Sequence, residues 1–375
     1  MVNLARLWLQ GDTVDGVMYP GLDPSLNLYL EYGNEVWNPD FLDHRLSETA
    51  AFAEVRSGRS LLNYDGAADP WVLGWRWTAK RTKEMSDDFR AVFGDAAMDT
   101  RVRPILSAQQ STLDVGREGL LFIDNVYGSQ HPVNYYLYGF GGAAYYNPDN
   151  TSNTLTLDTL FATLLTRDWI RDIQLHTDWA AVYGLKHVAY EGGPTLDITG
   201  HSDAVKAAAV RDPRMTTAIV NLHEAWTANG VDLFMYFIVA WDYQWAFTDN
   251  MANLDTPKYR AIDEINRRAA APLTYGTPLP AVLNAGRWSA SSGTAQPSDG
   301  PVRLKPLGFG PGADPSSNYW TAYTLRSDGP AVYQLSVTYS ANQDGELKTI
   351  VDGTALEAVS IQNSNGSSAG RRHRR

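Results

Sequence analysis

The sequence contains no cysteine, which excludes disulfides, thiolate metal sites and cysteine nucleophiles together. Charged residues make up only 19% of its 375 positions, against roughly 25% in an average globular chain. No apolar run approaches the ~20 residues that span a bilayer, so no membrane partner is expected. The first residues also lack the basic-then-apolar pattern of a secretion signal. Cations are scarce: 31 Lys and Arg stand against 42 Asp and Glu, a net charge of −11. A nucleic-acid reader would carry a basic face, so no nucleic-acid partner is expected either. The seven histidines are scattered without HExxH or any other ligand spacing, and neither a metal nor a cofactor is expected. Aromatic side chains are what the chain has in plenty, with 12 Trp, 20 Tyr and 11 Phe. Such rings fill cores, and their flat faces also stack on sugars.

Residues 1–271 alternate strand-like runs with helical stretches, the pattern of βα units around a parallel sheet. Strands are predicted over 26–35, 101–109, 133–139, 185–191 and 231–241. Helices are predicted over 76–93, 118–126, 157–165, 167–183, 202–228 (interrupted near Pro213) and 257–268. A long loop is expected after the first strand, and a Gly- and Tyr-rich loop after 133–139. From Pro272 the helical periodicity disappears and Gly, Pro and Ser rise. In 333–339, Tyr333, Leu335, Val337 and Tyr339 share one face, and Asp352-Gly353 signals a hairpin. Residues 272–362, with strands expected mainly between 302 and 361, read as a small all-β sandwich. Residues 363–375 end in Arg371-Arg372-His373-Arg374-Arg375 and are expected to be a disordered basic tail.

The strongest local signal is Leu26-Asn27-Leu28-Tyr29-Leu30-Glu31-Tyr32-Gly33-Asn34-Glu35-Val36-Trp37-Asn38. Alternation puts Leu26, Leu28, Leu30 and Tyr32 on one face and Asn27, Tyr29, Glu31, Gly33 and Glu35 on the other. In a barrel the apolar face lies under the helices and the polar face points inward. Glu35 then sits at the C-terminal end of the strand, where barrel enzymes place their chemistry. A second carboxylate, Glu191, ends another strand, with His187, Ala189 and Glu191 read as sharing a face. Gly192 and Gly193 let the backbone turn sharply behind it. Two such carboxyls suit glycoside hydrolysis, where one protonates the leaving oxygen and the other attacks the anomeric carbon or activates a water. The residues alone do not say which is which.

The segment Glu31-Tyr32-Gly33-Asn34-Glu35-Val36-Trp37-Asn38 resembles the strand-four signature of clan A of the retaining (β/α)8 glycoside hydrolases. It is closest to a bacterial branch bearing E-Y-x-N-E-V-W-N. Tyr190-Glu191-Gly192-Gly193 is similar, more loosely, to the clan's strand-seven nucleophile site. The resemblance covers about residues 1–270 and implies a (β/α)8 TIM-type barrel. It implies that Glu35 is the acid/base, Glu191 the nucleophile, and Asn34 the holder of the sugar 2-hydroxyl. Trp241 would line the sugar at the end of strand eight, and Tyr138 would stand beside the nucleophile. It also implies a secreted protein that meets its carbohydrate outside the cell, here expected as a monomer.

One departure from the clan is plain. A full barrel takes ~250 residues, so a fourth strand should begin about 90 residues into the chain, yet this one begins near residue 26. The expectation is strands four to eight only, in a fragment whose own activity would suffer. Softer candidates are Gln109 and Gln110 for sugar hydroxyls, and Trp37 and Trp245 as stacking platforms. Glu31 could raise the pKa of Glu35 or pair with Arg101 or Arg103. Two other motifs fail on context. Gly139-Phe140-Gly141-Gly142-Ala143-Ala144 has no helix start behind it, so dinucleotide binding is not expected. Gly200-His201-Ser202-Asp203-Ala204 lacks a preceding strand, and Ser202 reads better as a helix N-cap. The rival reading is a degenerate barrel that binds carbohydrate without cleaving it.

Overall fold

The computed structural model describes residues 1–148, 156–164, 169–197, 200–292, 320–341, 344–351, 354–364 and 369–374. Its centre is a curled parallel sheet of five positions, flanked by helices, that forms half of a barrel. The first strand is Leu28–Leu30, the second Val102–Gln109 and the third Gly139–Tyr146. The fourth is Lys186–Ala189, continued by Glu191–Pro194, and the fifth is Leu233–Phe234. They lie side by side in chain order, with every neighbouring pair parallel. Among the described residues no strand joins the first to the fifth, so the arc stays open. Residues 1–25 supply a helix, Val2–Gln10, and an antiparallel pair, Asp12–Val14 with Val17–Tyr19, neither of which enters this sheet.

Period-two alternation sorts the sheet's faces. Leu28 and Leu30 pack with Met85 and Phe89 under the helix Pro70–Phe93, while Leu106 and Ala108 pack with Leu120, Ile123 and Phe140. Burying each large side chain of this kind stabilises the fold by about 1.5–3 kcal/mol. Tyr29 and Arg103 take the opposite face, where Arg103 hydrogen-bonds the Tyr29 hydroxyl. Helix Pro70–Phe93 starts where Asp69 accepts from the Trp71 and Val72 amides and Pro70 fills the first turn.

Several elements differ from expectation, each for a visible reason. Residues 133–139 were predicted to be a strand because Val and Tyr dominate them. Instead Val133–Tyr136 is a short helix entered from Pro132, and the strand is the Gly- and Ala-rich Gly139–Tyr146 behind it. The long loop predicted after the first strand contains the helix Leu42–Arg56. Its buried side chains are His44, Ser47 and Ala51, so no apolar stripe advertised it. The fifth strand is two residues long rather than spanning 231–241. Its backbone keeps bonding the fourth through Met235 N–H to Ala189 O and Phe237 N–H to Gly192 O. It then leaves at Ile238, where φ is 54°. The helix predicted over 202–228 divides at Pro213 into Asp203–Ala209 and Arg214–Ala228. Ser202 caps the first of these by accepting from the Val205 amide.

Beyond residue 272 the described strands pair in twos. The stretches 293–319 and 352–353, where part of the sandwich and its hairpin turn were expected, lie outside the described residues. The predicted tail is not free: Ala369–Arg374 pairs antiparallel with Gln334–Tyr339. Ala290 and Trp320 pack on the helix Trp169–Val182 through Trp179. Asp178 of that helix, 5% exposed, accepts from the hydroxyls of Tyr275 and Thr324. The C-terminal residues are thus docked on the barrel-like part. Among the described residues no helix is long and apolar enough to cross a membrane.

Candidate active site

Glu35 lies beyond the tip of the first strand, on the loop that leads into helix Leu42–Arg56. That loop is pinned to the start of the helix. The Asn34 amide donates to Asp43 Oδ2 at 3.0 Å, and the His44 ring meets Val36 O at 3.1 Å. Glu35 itself has φ +42°, a left-handed conformation that costs a non-glycine residue roughly 1–2 kcal/mol. Asn38 Nδ2 donates to Glu35 Oε2 at 2.7 Å. The side chain is therefore held from both ends.

Glu191 reaches the same place by a different device. Gly139 pairs with Lys186 and Phe140 with His187, yet Ala143 pairs with Glu191. Two residues of the third strand, 141 and 142, thus stand opposite three of the fourth, 188–190. That extra residue is a β-bulge, which re-aims the side chain that follows it. In an even strand Glu191 would share the face of His187 and Ala189, as alternation suggested. Those two turn toward the helices: His187 is 1% exposed and stacks on His176 of helix Trp169–Val182. The bulge sends Glu191 to the opposite face. Gly141 makes room for it, because a Cβ there would lie 1.9 Å from Val188 O.

The two carboxyl groups are in side-chain hydrogen-bond contact. Two carboxylates so close cannot both ionise freely, and the pair retains one proton. Burial first, and then the charge of Glu35, push the Glu191 carboxyl up to about 8, while a hydrogen bond from Tyr145 works against the rise. Glu31, on the same inward face, is pushed up to about 7 by burial, with the Ser107 hydroxyl opposing and the Glu35 charge adding.

Aromatic rings surround the pair. Tyr145 meets Trp245 edge-on with centroids 5.0 Å apart and Phe237 at 5.9 Å. Trp241, 63% exposed, leans on Phe237 at the rim. Trp37 Nε1 donates to the Tyr190 hydroxyl at 3.1 Å, which donates onward to Ala108 O.

Of the residues singled out from sequence, Glu35, Glu191 and Trp245 converge. Trp37 is tied to Tyr190, the neighbour of Glu191, and Trp241 stands at the edge. Asn34 is exposed on the loop beside Glu35, and Gln109 is half-buried at the C-terminal end of the second strand. Tyr138 is not in the site. It precedes the N-terminal end of the third strand and packs on Tyr29 and Arg103, at the opposite end of the sheet. Gln110 is buried against His176, behind the sheet. Neither Arg103, which bonds Tyr29, nor Arg101, which bonds Leu22 O and Asp23 O, pairs with Glu31. Sequence reasoning missed Tyr145, Phe237 and Asn38. For Tyr145 the available signal was the Gly-Phe-Gly-Gly-Ala-Ala-Tyr-Tyr run itself, a strand of small residues where neighbouring backbones crowd.

A cavity of about 310 Å³ lies on the helix-facing side of the fifth strand, between Phe234, Tyr236, His223, Phe247 and Tyr259. No carboxylate lines it. Among the described residues, no group of three His, Asp or Glu side chains is placed to hold a metal ion. No protein-family model matches the chain, and no curated protein matches it.

Proposed function

We propose that this chain carries the catalytic pair of a retaining glycoside hydrolase acting on an oligo- or polysaccharide. One observation supports this above the others: a bulge and a strained loop, far apart in sequence, turn Glu191 and Glu35 into contact on the inward face of a parallel α/β arc. Double displacement needs one protonated and one ionised carboxyl, and a pair that shares one proton holds that ratio. When a sugar parts the two, Tyr145 favours the anion on Glu191, which attacks the anomeric carbon. The proton that Glu191 holds in the closed pair must then pass to Glu35, which delivers it to the leaving oxygen. Glu35, now a base, then takes a proton from the water that releases the sugar. The rings of Trp245, Trp241 and Trp37 supply faces for sugar stacking, and Asn34 would hold the 2-hydroxyl. In this reading the C-terminal residues serve as a carbohydrate-binding module, and the protein works outside the cell as a monomer.

Substitution with azide rescue tests the roles. On aryl β-glycosides, Glu191→Ala should abolish turnover, with added azide giving the α-azide. Glu35→Ala should slow both steps, least for good leaving groups, with azide giving the β-azide. Products with the anomers exchanged would swap the two roles. Turnover falling by less than ~10² in both variants would remove the pair from catalysis and leave carbohydrate binding.

A further inference from the structure

Lys258 sits where a lysine should not. It is 1% exposed and occupies the first turn of helix Pro257–Arg267, the end whose dipole repels a cation. A buried ammonium costs stability unless its donors are met, and an apolar side chain of similar length would fill the same volume without that cost. The donors are met by backbone. Lys258 Nζ lies 3.2 Å from Tyr243 O, 3.3 Å from Gln244 O, 3.5 Å from Trp245 O and 3.0 Å from Ala246 O. Four successive carbonyls converge on one cation, as they would on a bound metal ion. The same turn is closed from the other side by Asp242. Its backbone oxygen accepts from the Trp245 and Ala246 amides, and its Oδ1 accepts from the Gln244 amide.

What this turn presents is Trp245. The ring stands edge-on to Tyr145, 5.0 Å between centroids and 88° between planes, and Tyr145 lies one pleat beyond the register partner of Glu191, on the same face of the neighbouring strand, where its phenol favours the Glu191 anion. We propose that Lys258 is a positioning residue, a built-in cation that gathers the Tyr243–Ala246 carbonyls and so holds Trp245 against Tyr145, the tyrosine beside Glu191 on the neighbouring strand. The consequence for catalysis rests on the glycosidase reading; the physical coupling does not. Burial draws the ammonium down to about 7, with Asp242 opposing.

The test reads Glu191 directly and needs no substrate. The full chain, labelled with ¹³Cδ-glutamate, is titrated by NMR, and Glu191 is assigned by its loss in Glu191→Gln. The carboxyls of Glu35 and Glu31 and the phenol of Tyr145 face it, so their signals are followed together. In Lys258→Met the Tyr145 bond to the ionised form should weaken and the Glu191 midpoint should rise by ~0.5–1 pH unit, the scale of one hydrogen bond. Trp245→Ala should give a similar rise, and the double variant no further rise, since both act through one route. A folded Lys258→Met protein whose Glu191 midpoint matches the parent would overturn the proposal and leave Lys258 a packing residue. Should Lys258→Met fail to fold, Trp245→Ala decides alone, because an unmoved midpoint there breaks the link. Turnover falling by less than ~10² in the azide experiment would remove the glycosidase reading and leave all these shifts in place, so the two readings fail separately.

Discussion

A carboxyl group keeps its proton at neutral pH when it is walled off from water or stands beside another carboxylate, and Glu191 meets both conditions. The consequence reaches stability. Its folded midpoint of about 8 lies above the ordinary 4.5, so between those values the folded chain holds a proton that the unfolded chain has lost. The associated stability is fully present below about 4.5 and is lost as pH rises through about 8. Glu191→Gln should therefore gain stability relative to the parent as pH goes from 5 to 8.5, read by urea unfolding at each pH. A difference that stays flat with pH would mean Glu191 is not held protonated. Both glutamates were legible in the sequence, because strand-end carboxylates stand out against apolar runs. Their surroundings were less so. Tyr145 lay in a glycine-rich run that looked like a loop, and Tyr138, in a run rich in Val and Tyr, drew the attention that belonged to its neighbour.

The bulge in the fourth strand decides where Glu191 points, and it depends on a residue of the third strand. Gly141→Ala would drive a Cβ to within 1.9 Å of Val188 O, a backbone atom with little freedom to yield. The variant should lose ~1–3 kcal/mol of stability, and its Glu191 midpoint should fall toward the ordinary carboxylate range as contact with Glu35 is lost. Unfolding and the ¹³C titration measure the two effects; a variant unchanged in both would show that the bulge does not need the glycine. Elements were readable from sequence where packing agrees with propensity, as in the helices Pro70–Phe93 and Arg214–Ala228. They were misread where tertiary crowding overrides propensity, as with the small residues of Gly139–Tyr146. They were missed where the buried face is polar or small, as with His44, Ser47 and Ala51. No one-strand pattern carries a bulge, since it exists only in the register between two strands.

At the scale of the whole molecule, five parallel positions form an arc that brings Glu35 and Glu191 together at the C-terminal ends of the strands, the end where barrel enzymes keep their chemistry. The parallel α/β plan was readable from the alternation of strand and helix signals. The sandwich expected after residue 272 was less legible, because alternating strands with turn signals fit many all-β arrangements; the described strands there pair only in twos. The central claim is that Glu191 bonds covalently to sugar while Glu35 supplies and removes the proton. Incubation with a series of 2-deoxy-2-fluoroglycosyl fluorides, followed by intact-mass measurement and peptide sequencing, tests it most directly. The account predicts one added fluoroglycosyl unit, carried on Glu191, absent in Glu191→Gln and released slowly by water. An adduct on Glu35, or on any residue outside the pair, would contradict it.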